Sequence, residues 1–259
     1  MIEQPIRNSA NERLDSRFEA GTGSRRHEGH LVVLAHGVTG NLDRPVVADT
    51  ARALNESGYD TLRFSFAGNG ASEGDFRAAT PTKECDDLRA VIDAAAAAGY
   101  GHIVVVGHSM GAAVAVMLAS QDPRIRALVS LAGMVDTRRF ALAEFGEVEP
   151  DKGTMWDEPE CPLSGAFMTD LCEMIGSVLP HAKAVTVPWL LIHGTADDVV
   201  LPDDSKLVRD TRGEDVEMVL IEGADHSFNE PSHKKQMISA LVEWLDKVRA
   251  GVEGQDARA

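Results

Sequence analysis

Short, unbroken runs rich in apolar and β-branched residues, each followed by a stretch with helical periodicity, constrain this chain more than any other feature. Residues 31–35, 103–106, 125–131, 187–192 and 216–221 are of this kind, and 59–66 reads as a further strand. A strand with no polar alternation has no face to offer water, so it belongs inside a parallel sheet covered on both sides. The intervening stretches 45–57, 81–99 and 110–120 supply the covering helices. The apolar stripe Met237, Leu241, Trp244, Leu245 and Val248 predicts a closing one. Strands alternating with helices predict an α/β architecture. Ahead of this pattern, 2–18 reads as two short strands joined by the turn Asn8-Ser9-Ala10-Asn11, followed by a Gly/Ser/Arg loop over 21–29.

The 259 residues suit a single large domain spanning 1–259. One part departs from the pattern. Between 134 and 185 no strand is expected; prolines at 150, 159, 162 and 180 break the chain into short helical patches. The stretch also carries an acidic band, Glu144, Glu147, Glu149, Asp151, Asp157, Glu158 and Glu160. Its Phe140, Phe145, Met155, Trp156, Phe167, Met168 and Met174 argue against disorder. A long excursion of this composition predicts a small helical cap or lid inserted in the domain, its Met and aromatic residues being candidates to line a substrate pocket.

Charge narrows the partners. Lys and Arg total 25 against 41 Asp and Glu, a net charge of −16. Neither nucleic acid nor an anionic membrane surface is an expected partner, because both need a basic face. The apolar runs fall far short of the roughly 18–20 residues that span a bilayer. The start of the chain lacks the basic-then-apolar pattern of a secretory signal, so a cytoplasmic location is expected. Cys85, Cys161 and Cys172 have no metal-like spacing and read as structural. No metal and no cofactor are expected.

Chemistry concentrates at Gly107-His108-Ser109-Met110-Gly111, directly after the 103–106 strand and before a helix rich in alanine. G-x-S-x-G in this context makes a sharp turn with the serine at its tip. The small flanking residues let strand and helix approach each other. A serine hydroxyl needs a base, and the base needs a carboxylate to orient it. His226, in the loop after the 216–221 strand, lies at the same carboxyl edge of the sheet and is the candidate base. Asp197 and Asp198, after the strand ending at 192, are candidates for the carboxylate, with Asp136 as a rival after the 125–131 strand. The helix start behind Ser109 offers the Met110 N–H to a developing oxyanion. The loop His36-Gly37-Val38-Thr39-Gly40 offers Val38 N–H as the second donor.

Taken together, these residues resemble the α/β-hydrolase family along nearly the whole chain. The order Ser109, Asp197, His226 is similar to the family order of nucleophile, acid and base. His193-Gly194-Thr195-Ala196-Asp197 resembles its acid-bearing H-G-x-x-D and selects Asp197 over Asp198. The 63–74 stretch resembles R-x-D-x-x-G-x-G-x-S-x-G, with Ser65 where the family often has Asp. Within the family, the 36–44 run and short cap most resemble cinnamoyl/feruloyl-type esterases and related lipases. The resemblance implies a mostly parallel eight-stranded sheet with helices on both faces. It further implies a serine esterase that cleaves neutral, apolar acyl or aryl esters through an acyl-enzyme. Amide, thioester or peptide hydrolysis, a cofactor-free perhydrolase, and a ligand receptor with a vestigial triad are the alternatives. The expected partner is a small-molecule ester, with homo-oligomerisation left open.

Overall fold

The structure, a computed structural model, describes residues 2–22 and 26–256; residue 1, residues 23–25 of the 21–29 loop and residues 257–259 lie outside them. In chain order the strands are β1 (Ile6–Arg7), β2 (Arg13–Leu14), β3 (Ser16–Glu19), β4 (His30–Ala35), β5 (Asp60–Phe64), β6 (His102–His108), β7 (Ile125–Leu131), β8 (Trp189–Gly194) and β9 (Val216–Ile221). The helices are α1 (Pro45–Glu56), α2 (Pro81–Ala97), α3 (Met110–Ala119), α4 (Thr137–Phe145), α5 (Gly165–Thr169), α6 (Leu179–Ala184), α7 (Asp203–Arg212) and α8 (Pro231–Asp256).

Among the described residues the main sheet has seven strands in the order β3-β5-β4-β6-β7-β8-β9. Every neighbouring pair is parallel except β3–β5. This is the α/β-hydrolase fold, with one strand fewer in the sheet than the expected eight. The opening segment explains the difference. The side chain of Asn8 accepts the backbone N–H groups of Ala10 and Glu12, and Asn11 takes a positive φ of 62°. That tight turn pairs β1 with β2 as a separate hairpin. β3 alone reaches the sheet, as its antiparallel edge.

Side-chain alternation along the buried strands explains the two helical layers. Leu31, Val33, Ile103, Val105, Trp189 and Leu191 share one apolar layer with Leu88 and Ile92 of α2 and Val114 and Leu118 of α3. Val32, Leu34, Val104, Val106, Leu190 and Ile192 face the other, with Val47 and Leu54 of α1 and Met237, Leu241 and Trp244 of α8. A parallel sheet with both faces covered leaves its carboxyl edge, where β4, β6, β8 and β9 end, as the place for a site.

Between β7 and β8 the chain forms α4, a 3₁₀ turn at Met155–Asp157, α5 running into a π-helical turn at Asp170–Ile175, and α6. Phe145 lies within ring-stacking reach of Phe140, Trp156 and Phe167, at centroid distances of 5.9, 4.9 and 6.2 Å. α7 was not expected from the sequence: Asp-Asp-Ser-Lys-Leu-Val-Arg-Asp-Thr-Arg has no apolar stripe. It buries Val208 together with two polar residues, Asp204 and Ser205. Asp204 accepts the N–H groups of Val135 and Asp136 and pairs with Arg139. No helix among the described residues is long and apolar enough to cross a membrane.

Candidate active site

The strand–turn–helix at Ser109 has a steric origin that the structure makes explicit. A Cβ on Gly107 would stand 2.5 Å from the backbone of Ala112, and one on Gly111 would stand 2.3 Å from the carbonyl oxygen of His36. Both glycines are therefore required by close backbone approach. Ser109 sits between them at φ 54° and ψ −121°. A non-glycine residue in such a conformation costs about 1–3 kcal/mol and persists only where its surroundings impose it. Here the Ser109 N–H donates to Leu131 O at 3.0 Å, and its carbonyl accepts from Ala112 at 3.1 Å and Met134 at 3.2 Å.

His226 and Ser109 line one pocket of about 510 Å³ at the carboxyl edge of the sheet. His226 Nδ1 lies 2.8 Å from Asp197 Oδ2. Asp197 is buried and accepts four hydrogen bonds. The N–H groups of Val199 and Val200 reach its Oδ1 at 3.0 and 2.9 Å, and His193 Nε2 reaches Oδ2 at 3.2 Å. Burial alone would raise the Asp197 carboxyl. The hydrogen bonds from His193 and His226, the charge of His226 and the Val200 N–H outweigh it and hold the group below its ordinary range. The rivals are placed elsewhere. Asp198 is exposed, and Asp136 caps α4 through the Arg139 N–H at 2.9 Å.

Three histidines that the sequence reading left out of the chemistry hold this arrangement. His193 is completely buried. Its Nε2–H is shared by Asp197 and Val200 O, which fixes Nδ1 as the acceptor of the Ser205 hydroxyl at 2.7 Å. His36 Nδ1–H donates to Gly37 O at 2.8 Å while Nε2 accepts the Phe66 N–H at 3.0 Å, so the ring staples the 36–40 loop to the end of β5. His108 Nε2–H donates to the backbone carbonyl of His226 at 3.0 Å, with the two rings 4.8 Å apart. Burial pushes His36 down to about 4; burial and the neighbouring His226 push His108 down to about 3. Burial keeps both rings neutral, and His36 also needs its bare Nε2 to accept the Phe66 N–H. A single sequence carries one signal for this role: each of the three sits at a strand end, beside a glycine or the serine.

Val38 lines the main pocket, and Val38 and Met110 together line a smaller cavity beside it. Met110 is the first residue of α3, where the helix itself provides no acceptor for the backbone N–H. A Cβ on Gly37 would lie 2.9 Å from that of Ser109, so the loop passes directly over the serine.

Of the pocket candidates in the 134–185 segment, Trp156 lines the main pocket, and Met155 and Phe167 line the smaller cavity. Phe140 faces a different cleft beside Asp198, Phe145 is completely buried, and Met168 packs against the core. These three serve the packing of the segment, because the aromatic cluster around Phe145 has to bury its own rings before any can face a ligand. Glu158 of the acidic band lines the main pocket, as does Arg44. Cys85 and Cys161 are buried thiols, raised by that burial to about 12 and about 11. Among the described residues no group of His, Cys, Asp or Glu side chains is arranged to hold a metal ion.

Residues 53–251 match the model of the prolyl oligopeptidase family. The palmitoyl-protein thioesterase ABHD10, mitochondrial, of Homo sapiens is 26% identical over 203 residues, which cover 74% of this chain and 65% of that protein, a little under two thirds of its length. Among solved structures, the chain is similar to Est1E from Butyrivibrio proteoclasticus with bound ferulic acid, at a TM-score of 0.84 and 24% identity over 95% of this chain and 98% of the other. It is also similar to the mouse α/β hydrolase domain-containing protein 10, at a TM-score of 0.75 and 21% identity over 94% and 98%. At these identities the solved structures speak for the fold.

Proposed function

Since the chain belongs to the prolyl oligopeptidase family, serine hydrolases of the α/β fold, we propose that it is a carboxylic ester hydrolase with Ser109 as nucleophile, His226 as base and Asp197 as its orienting acid. One observation carries the reading. The 2.8 Å contact between Asp197 and His226 opens on the same pocket as a serine held at positive φ. Asp197 holds His226 with Nδ1 protonated, so that Nε2 faces away from the acid and is able to take a proton. His226 removes the Ser109 proton as Oγ attacks the acyl carbonyl. The N–H groups of Val38 and Met110 receive the oxyanion, an interaction whose loss costs about 100–1,000-fold in turnover per donor. The proton on His226 goes to the leaving alcohol, and water then repeats the sequence on the acyl-enzyme.

Apolar walls from Val38, Val46, Val47, Val199 and Trp156 suit a neutral ester bearing an aryl or alkyl group. The names of the relatives favour two bond types. Est1E was solved with ferulic acid bound, and the human relative is named as a palmitoyl-protein thioesterase. Both bonds break by the same acyl transfer. The test is labelling with a fluorophosphonate, together with a burst of para-nitrophenol from an aryl ester. Wild type is expected to show both and Ser109→Ala neither. Turnover surviving in Ser109→Ala refutes the assignment, and ligand binding without any turnover points to a receptor instead.

A further inference from the structure

We propose that the narrow cavity beside the oxyanion loop receives a hydroxyl carried by the acyl group, and that the Glu84 carboxyl in its wall selects short acyl groups bearing one. The proposal rests on the serine-esterase reading above and deepens it. Its first support is directional. His226 has to reach the leaving oxygen, so the alcohol half of the ester occupies the large pocket that His226, Ser227 and Asn229 line. The acyl substituent then points to the other side of the carbonyl carbon, past Val38 and Met110. Those two residues line a cavity of about 10 Å³, room for one water-sized group, together with Phe76, Phe167, Asn69 and Glu84. It has room for the hydroxyl of an acyl group and not for its carbon chain.

The second support is Glu84 itself. It is 2% exposed, and its Oε2 is buried with no hydrogen-bond partner. The neighbouring acids are satisfied. Asp87 accepts Asn8 Nδ2 at 2.7 Å and the Ala67 N–H at 2.8 Å, and Asp170 accepts the Thr82 N–H at 2.9 Å and its hydroxyl at 2.7 Å. An unpartnered buried oxygen is costly and calls for an occupant that bonds to it. Burial, Asp87 and Asp170 push the Glu84 carboxyl well above the usual carboxylate range, so it carries a proton. A neutral carboxyl both donates and accepts, and a hydroxyl is its complement. An anionic acyl end is disfavoured, because it would face Asp87 and Asp170 as well.

The experiment compares kcat/KM for para-nitrophenyl β-hydroxybutyrate and para-nitrophenyl butyrate, which share a leaving group. The ratio of the two is insensitive to the fraction of enzyme that is folded. Wild type is expected to favour the hydroxyacyl ester by about five- to tenfold, the value of one net hydrogen bond. Glu84→Leu should bring the ratio to one or below. Glu84→Gln, whose amide also donates and accepts, should keep most of it. A wild-type ratio of one, or an unchanged ratio in Glu84→Leu, overturns the subsite while leaving the esterase reading intact. If wild type hydrolyses neither ester and Ser109 resists fluorophosphonate, the esterase reading falls and the subsite falls with it.

Discussion

Replacing Asp197 with asparagine tests the proposed triad at the point where the structure makes the sharpest claim. The side chain accepts two backbone N–H groups at Oδ1 and two imidazole nitrogens at Oδ2. An asparagine placed with its oxygen toward Val199 and Val200 keeps the loop bonds but turns an NH₂ group toward His193 and His226. His193 is held by Val200 O and Ser205 and cannot change tautomer. His226 can. Its Nδ1 then accepts from the amide, and its proton moves to Nε2, where the base must be bare. The cost is that of the wrong tautomer, about 10⁴-fold in kcat, while most of the stability remains because the Oδ1 bonds survive. The assay is steady-state hydrolysis of an aryl ester, with thermal unfolding in parallel. Asp198→Asn alters an exposed residue, and Asp136→Asn keeps the helix cap because asparagine caps as well as aspartate, so each should stay within about threefold of wild type with little change in stability. A comparable fall in kcat for all three variants, or an Asp197→Asn enzyme with a tenth of wild-type turnover, refutes the assignment of the acid.

Other outcomes follow from the same packing. Gly111→Ala puts a methyl group inside the contact distance of His36 O; it should destabilise by at least about 1–3 kcal/mol, read as a lowered thermal midpoint, and an unchanged midpoint would show that β4 and α3 are not held so close. His36 and His108 are buried neutral, with folded values of about 4 and about 3 against about 6.5 when unfolded. Their sign is clear: the unfolded chain takes up protons first, so the stability they depend on is complete above about pH 6.5 and declines as pH falls toward 4. Denaturant midpoints across that range should drop less steeply in His108→Gln than in wild type. Glu84 has the opposite sense: its folded value is raised, so stability is lost as pH rises through it, and the gain in thermal midpoint from Glu84→Gln should grow as pH rises, with a pH-independent difference counting against a protonated, buried carboxyl.

Much of this molecule is legible in one dimension because its signals are local. An unbroken apolar run dictates a strand buried on both faces, and a G-x-S-x-G between strand and helix dictates a strained turn, since both follow from sterics within a few residues. Asp197, Asp198, Asp136 and His226 were all candidates for a related reason, since loops after parallel strands open at one edge of the sheet, and the resemblance of His193-Gly194-Thr195-Ala196-Asp197 to H-G-x-x-D singled out Asp197. Tertiary structure decided what depends on distant partners. Among the described residues β1 and β2 pair with each other, around a turn that Asn8 bonds, and the main sheet has seven strands. α7 has no apolar stripe, and its purpose is visible only through Ser205 on His193 and Asp204 on Val135 and Asp136. Among the 134–185 aromatics, sequence could not separate Trp156, which meets the pocket, from Phe145, which fills the core, because both are simply large and apolar. The buried carboxyl of Glu84 reads as an ordinary charged helix residue until α2 packs on α3 and Glu84 comes to line a cavity with Val38 and Met110. Local chain geometry is written in neighbouring residues, whereas burial and protonation are set by whatever the folded chain brings alongside.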